Sequence, residues 1–257
     1  MGREKADYDT IAPVYDRARL AAAPHLEWWY TRLAEAGALG PGKRLIDLGC
    51  GTGRFTIPLA ARTGCEAVGL DSSTEMLARA QAKDESGCVA WVKGDLTQLA
   101  FPPESFDCAL MSLLIHHLSD CPGVFRGVHR LLRPGGVLLL RQGTLEEIVD
   151  DVVHRFCPEA VTADRVRTPF RAELLRWLEG AGFAEVVAEE VSHTVYETHA
   201  PVLEEFRLRV PSVLHLVSDE AWQQALARAE AYVEQRPEDP WLRRGKMTLF
   251  IARKLAG

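Results

Sequence analysis

No apolar run in the 257 residues approaches the length that spans a bilayer. The opening Met-Gly-Arg-Glu-Lys-Ala-Asp is charged where a secretory leader needs an apolar core, and Ala6 stands where a myristoylation signal requires Ser or Thr. Basic charge is not in excess either. Thirty Lys and Arg against 36 Asp and Glu give a formal charge of −6, the wrong sign for general affinity toward nucleic acid or an anionic membrane. The six cysteines (50, 65, 88, 108, 121 and 157) form no Cys-x-x-Cys pair, which argues for buried free thiols over a zinc site or disulfides. Internal repeats and low-complexity linkers are also absent. These absences leave a cytoplasmic globular protein, monomer or homodimer, whose 47% hydrophobic content suffices for a proper core.

What is present centres on residues 44–55, Arg-Leu-Ile-Asp-Leu-Gly-Cys-Gly-Thr-Gly-Arg-Phe. The apolar Leu45, Ile46 and Leu48, broken only by Asp47, predict a buried parallel strand. Gly49, Gly51 and Gly53 then punctuate a turn into a helix. Glycine there permits positive φ and close approach to the backbone, and a helix start offers unpaired N–H groups to a nucleotide-type ligand.

Short apolar runs recur at 67–70, 89–92, 106–111 and 137–140, with helical patterns between them. One such helix follows Asp71 with a Ser72-x-x-Glu75 capping box, and another carries Val124, Val128, Leu131 and Leu132 up to Arg133-Pro134-Gly135-Gly136. Cys121-Pro122 reads as a helix start. The alternation predicts an α/β fold, a Rossmann-like, seven-stranded, mostly parallel sheet with helices on both faces and ligands at the strand carboxyl ends. Before it, Leu26, Trp29, Tyr30 and Leu33 lie on one helical face behind an arm holding Tyr8 and Tyr15. That arm either packs on the sheet edge or serves as a lid whose phenol reaches a ligand. Beyond residue 142, Ile148, Val149, Val152, Val153 and Phe156 suggest one amphipathic helix, and Thr168-Pro169 opens another. Strands are expected at 185–191 and 247–252, with a helix bearing Trp222, Ala225, Leu226, Ala229 and Val233 between them. The whole reads as a single domain. Residues 1–40 form the arm or lid, 41–142 the cofactor core, 143–169 and 193–245 a helical cap, and 170–192 and 246–257 the remaining core.

The glycine turn is one residue short of the dinucleotide fingerprint Gly-x-Gly-x-x-Gly, which counts against a dehydrogenase. Asp71 follows Gly53 by 18 residues and closes the next strand, where an acid either accepts from ribose hydroxyls or caps a helix. Asp95, within Gly94-Asp95-Leu96, puts a second carboxylate at the same sheet edge, suited to an exocyclic amine or simply to a turn.

Taken in order, Asp47-Leu-Gly-Cys-Gly-Thr-Gly53, Gly69-Leu-Asp71, Gly94-Asp95-Leu96, Phe106-Asp107 and Leu132-Arg-Pro-Gly-Gly136 resemble the class I S-adenosylmethionine-dependent methyltransferases. The arm Tyr8-Asp-x-x-Ala-x-x-Tyr15-Asp16 looks like that of the branch containing the ubiquinone/menaquinone-biosynthesis type and many small-molecule enzymes. The resemblance covers residues 7–141. It implies S-adenosylmethionine as cofactor, with Gly49, Gly51 and Gly53 at its methionine and ribose end and Asp71, flanked by Ser72, on the ribose diol. It further implies Asp47 near the methionine amino group, Met76 against adenine, Asp95 and the Leu96 amide on the adenine edge, and Ser112 and Leu113 bordering the methyl group. Met76 fits equally well as a core residue of its helix.

The acceptor side reads Met111-Ser-Leu-Leu-Ile-His-His-Leu118. It lacks the Asn/Asp-Pro-Pro-aromatic box of enzymes that methylate base amines and the Pro-Cys of C5-cytosine enzymes, and the chain has no Asp-Asn pair of the magnesium-dependent catechol type. Metal-independent direct displacement onto a small-molecule O-, N- or C-nucleophile is therefore expected, in secondary metabolism or cofactor biosynthesis. His117, His116 and the arm phenol of Tyr15 are the candidates for proton handling, with Tyr15 also expected near the cofactor. The histidines equally suit a structural role. Arg and His of the cap, among them His154, Arg167, Arg209 and His215, could face an acidic acceptor or be solvated surface. A tRNA- or macromolecule-modifying enzyme and a non-catalytic cofactor-binding module are the alternatives.

Overall fold

A computed structural model describes residues 24–149, 151–196, 198–239 and 244–256. The arm with Tyr8 and Tyr15 lies outside the described residues. The described residues form two compact units, one of 28–142, 172–189 and 248–256, the other of 24–27, 143–149, 151–171, 190–196, 198–239 and 244–247.

Four parallel strands build the centre of the first unit: β1 (Arg44–Leu48), β2 (Glu66–Asp71), β4 (Phe106–Ser112) and β5 (Leu132–Gln142), with β3 (Val89–Lys93) parallel to β2. The near-continuous apolar runs are explained by burial on both faces, as every residue from Leu45 to Leu48 is buried. β7 (Arg244–Arg253) runs antiparallel to β5, and the seven-stranded sheet has the order β3-β2-β1-β4-β5-β7-β6, with β6 spanning Ala184–Thr194. The expected seven-stranded, mostly parallel sheet is thus present. Chain direction along the order reverses between β1 and β4, which makes their carboxyl ends the topological switch point where ligands bind in such sheets.

Local signals set the helices. α1 (Pro24–Ala36) buries Trp29 and Leu33, and α2 (Thr56–Thr63) follows the glycine turn. α3 (Thr74–Lys83) is capped by Ser73, whose hydroxyl accepts from the Met76 N–H, so a single serine cap one residue on stands in place of the expected Ser72-Glu75 box. The adjacent serine has the extended φ/ψ a cap needs (−85°, 121°). α4 (Cys121–Leu131) opens on Cys121-Pro122 as read, with Asp120 accepting from the Gly123 N–H, and buries Val124, Phe125, Val128 and Leu131. It stops one residue early. Leu132 begins β5, and Arg133-Pro134-Gly135-Gly136 forms the irregular start of that strand, with Gly135 at φ 78°. All six cysteines are free, five of them buried and Cys88 exposed.

The second unit holds α5 (Leu145–Ile148), α6 (Val152–Phe156), α7 (Pro158–Arg167), α9 (Ala200–Arg207) and α10 (Asp219–Gln235), while α8 (Arg171–Gly180) falls chiefly in the first. The single helix expected across Ile148–Phe156 is two short ones. Asp151 caps α6 by accepting from the Val153 N–H, which starts a new helix where the apolar periodicity alone would have continued the old one. Phe156, Phe206, Leu214, Ala225 and Ala229 form the core of this unit. Among the described residues, no helix is long and apolar enough to cross a membrane, and no three His, Cys, Asp or Glu side chains gather as metal ligands.

Candidate cofactor site

Strand register sets out the site. β1, β2 and β4 are aligned at Leu48, Leu70 and Met111, and β5 joins them at Leu140. One residue further, the strand ends present Asp71, Gly49, Ser112 and Arg141 in a row along the carboxyl edge, with Lys93 beside Asp71 on β3. Residues far apart in the chain are brought to one edge by a one-residue alignment that is fixed by core burial.

The three glycines of the turn are not equivalent, although all have positive φ (72°, 54° and 75°). A Cβ on Gly49 would sit 2.7 Å from Cδ1 of Leu114, and one on Gly53 would sit 2.7 Å from Cη2 of Trp91 and 2.9 Å from Cδ1 of Ile57. Those two positions are glycine because neighbouring side chains fill the space. Gly51 has nothing within 4 Å of the same point. Its backbone is the part of the turn that an incoming molecule can approach closely, and a side chain would fill that cradle.

Two acids brace the turn. Asp71 Oδ2 accepts from the Gly51 N–H at 2.8 Å and Oδ1 from the Ser73 N–H at 2.9 Å. A carboxylate oxygen has a second lone pair, so a diol could still be accepted there. Asp47 is buried and takes a 2.5 Å hydrogen bond from the Thr56 hydroxyl. Burial pushes its pKa up to about 7, the Thr56 bond opposes that, and the negative charge of Asp71 adds to it.

On the β2 and β3 side, Met76 is buried on the inner face of α3 with Leu77 and Ala80. Ser72 is exposed. Asp95 is exposed, and its Oδ1 accepts from the N–H and the hydroxyl of Thr97, as an aspartate in a turn does. Leu96 packs on the core.

On the β4 and β5 side, Ser112 Oγ accepts from Arg141 Nη1 at 3.1 Å. Leu113 adopts a left-handed φ of 54°, with its N–H donated to the Arg141 carbonyl. An apolar residue in that conformation is strained, and such strain concentrates at functional loops. It carries the chain into the short 3-10 turn Ile115–His117, where the Ile115 N–H meets Gln142 Oε1 at 3.4 Å. The His116 and His117 rings are in contact, with centroids 4.0 Å apart at 51°. Both are half-buried.

Four site neighbours were not singled out as site residues in the sequence. Thr56 supports Asp47, Leu114 covers Gly49, and Trp91 underlies Gly53. Arg141 is buried with its guanidinium over the rings of Trp29 (4.6 Å) and Phe55 (5.2 Å). Only Arg141 leaves a trace, as a cation closing the run Val137 to Leu140, where a buried strand would continue apolar. The cap's arginines and histidines largely bind one another's neighbours. His154 and Arg167 both meet Asp164, Arg207 meets Glu230, and Arg209 meets Asp219 and stacks on Trp222.

Similarity to known proteins falls on the same stretch of the chain. A family model described as a methyltransferase domain matches residues 46–140. A 2-phytyl-1,4-naphtoquinone methyltransferase of Nostoc sp. strain PCC 7120 is 33% identical over 138 residues, 51% of this chain and 60% of that protein. The chain therefore covers less than two thirds of that relative. A demethylmenaquinone methyltransferase of Mycobacterium sp. strain KMS is 29% identical over 215 residues, 76% of this chain and 91% of the relative. Among solved structures, the [4+2]-cyclase SpnF superposes with a TM-score of 0.69 at 22% identity, covering 97% of this chain and 94% of that one. The Haemonchus contortus phosphoethanolamine N-methyltransferase 2 bound to S-adenosyl-L-methionine gives 0.64 at 23%, covering 96% and 57%. Strand order and glycine turn agree with that match, which makes residues 46–140 a methyltransferase domain.

Proposed function

We propose that the chain transfers a methyl group from S-adenosylmethionine to a small-molecule acceptor by direct, metal-independent displacement. The observation that carries this is the open cradle at Gly51, braced by Asp71 and fed by the strand that holds the buried Asp47, at the topological switch point of the sheet. When bound, the cofactor supplies an electrophilic methyl on a sulfonium. The chain binds and orients it. Gly51 with Gly49 and Gly53 would hold its methionine and ribose end, Asp47 its amino group, Asp71 and Ser72 the ribose diol, Met76 the adenine face, and Asp95 with the Leu96 amide the adenine edge.

Ser112 and Leu113 would border the transferred group, and the strained turn at Leu113 would hold His116 and His117 toward the acceptor. One of these imidazoles, His117 by preference, would take a proton from an acceptor hydroxyl or amine near neutral pH, with Tyr15 assisting. The acceptor class is suggested by the two relatives, named for a phytyl-naphthoquinone and for demethylmenaquinone. A hydroxylated aromatic or quinol fits a histidine base, since removal of a hydroxyl proton raises the nucleophilicity of the oxygen and of the adjacent ring carbon.

Titration calorimetry with S-adenosylhomocysteine tests the cofactor assignment, and methyl transfer to a panel of reduced naphthoquinones, phenols and amines tests the reaction. Micromolar cofactor binding with product from at least one phenol or quinol is expected. Tight cofactor binding with no product from any acceptor would leave a cofactor-binding module instead.

A further inference from the structure

The indole of Trp91 occupies two glycine notches at once. Trp91 lies on β3 opposite Gly69 of β2 in the parallel ladder. A Cβ on Gly69 would fall 2.5 and 2.6 Å from Cζ3 and Cε3 of that indole, and a Cβ on Gly53 would fall 2.7 Å from its Cη2. The six-membered ring thus spans from the second strand to the last glycine of the turn. The Gly69 notch is shared by Cys50 of the same turn, whose Sγ lies 3.1 Å from the same point. The other end of the indole is tethered, with Nε1 donating to Asp84 Oδ2 at 3.3 Å. That carboxylate also accepts from the Val89 N–H at 3.1 Å and the Ser86 hydroxyl at 3.1 Å, tying the tether to the start of β3 itself.

We propose that Trp91 is a positioning residue for the cofactor, a rigid wedge that sets the height of the glycine turn above the sheet and hence the affinity for S-adenosylmethionine. The inference rests on the assignment of that turn to the cofactor. Planarity matters here, because a tryptophan has only two side-chain torsions and transmits position where a flexible side chain would yield. Close packing matters equally. Two of the three structural glycines around the turn, Gly53 and Gly69, are vacant of side chain for the benefit of one ring, and removing the ring would let Cys50 and Gly53 settle toward β2. Gly51, which has no such neighbour, would move with them.

The test is calorimetric affinity for S-adenosylhomocysteine together with the thermal midpoint, in the full chain. Trp91→Ala should lose about tenfold or more in affinity, Trp91→Phe should recover most of it, and Gly69→Ala should lose a similar factor by displacing the indole. Because the new methyl in Gly69→Ala fills part of the space left by Trp91→Ala, the double variant should bind better than the product of the two single losses. Phe183→Leu serves as a stability control. Phe183 is buried just ahead of β6, at the sheet edge opposite β3, so this variant should lower the midpoint without changing affinity. A folded Trp91→Ala that binds within about twofold of the parent, or two single losses that multiply without compensation, overturns the proposal. Should Trp91→Ala not fold, Gly69→Ala decides alone by the same twofold limit. A parent chain that fails to bind S-adenosylhomocysteine overturns the cofactor assignment instead, and the two failures are thereby distinct.

Discussion

The Thr56 hydroxyl donates to Oδ2 of Asp47 at 2.5 Å, and both side chains are buried. Burial raises the Asp47 pKa to about 7, with the Thr56 bond pulling against it and the Asp71 charge reinforcing it. A cationic amino group brought to Asp47 favours the carboxylate, so ligand affinity is linked to pH. Binding of S-adenosylhomocysteine should weaken as pH falls below about 7, approaching tenfold per pH unit. In Asp47→Asn, which keeps an acceptor for Thr56, the affinity should be lower and flat across the same range. A parallel slope in the two titrations would remove Asp47 from contact with the ligand. Stability moves the opposite way. The folded chain holds a proton on Asp47 that the unfolded chain gives up near 3.8, so folding is favoured as pH falls from about 7 toward 4.

Asp71→Ala removes the acceptor for the Gly51 and Ser73 N–H groups together with the proposed acceptor for the ribose diol. S-adenosylhomocysteine affinity should fall by about 2 kcal/mol, or roughly 30-fold. An analogue lacking the ribose hydroxyls should bind parent and variant more nearly alike. Calorimetry with both ligands separates the diol contact from simple loosening of the turn.

Gly51→Ala and Gly49→Ala should part company. Each pays the left-handed strain of a Cβ, about 1 kcal/mol, which lowers the melting midpoint of a chain this size by a few degrees. At Gly51 the new methyl meets open space, so stability should suffer little beyond that while cofactor affinity collapses. At Gly49 it meets Leu114, and the larger loss should be in stability and in the loop after β4. Midpoints and affinities measured side by side read the difference.

Much of the sheet was legible because its strands are buried on both faces and stand out as apolar runs between helical patterns. Asp47, the three glycines and Asp71 stood out in the sequence because glycines in a strand-to-helix turn and acids at strand ends are unusual where an apolar core is being built. The reason for each glycine was not. Gly49 and Gly53 are filled by Leu114, Ile57 and Trp91, partners up to 65 residues away whose approach depends on register and not on local composition. Thr56 and Arg141 escaped notice for the same reason. The Ser73 cap and the break at Asp151 were missed because two adjacent residues had equivalent capping chemistry, and because apolar periodicity runs on through a point where an aspartate restarts the helix.

In the second unit, both ring nitrogens of His154 face acceptors. Nδ1 meets the Ile148 carbonyl and Nε2 meets Asp164 at 2.8 Å, while Arg167 Nε reaches the other oxygen of Asp164 at 2.5 Å. A neutral imidazole can donate only once, so the pair of acceptors selects the imidazolium. Burial opposes the charge, but Asp164, the Ile148 carbonyl and Asp151 outweigh it and raise the pKa. This contribution to stability is complete below the ordinary histidine range and is lost as pH rises through the elevated folded value. His154→Gln should therefore cost about 3 kcal/mol near pH 6 and clearly less near pH 9. Equal destabilisation at both values would show that His154 is neutral in the folded chain.

His117→Ala tests the proposed base at the end of the strained turn. Cofactor affinity should stay within about twofold of the parent, because the imidazole is assigned to the acceptor and not to the cofactor. Turnover of a phenol or quinol should fall by roughly 10²- to 10⁴-fold, the usual contribution of a positioned base. The loss should shrink as pH approaches the acceptor's own pKa, where solvent supplies the deprotonated form. His116→Ala is the comparison that matters, because the two rings touch at 4.0 Å and either could carry the proton. Loss of the pH dependence in only one of the two variants assigns the base to that ring. Equal, pH-independent losses in both would mean that the pair holds the turn in place and performs no proton transfer.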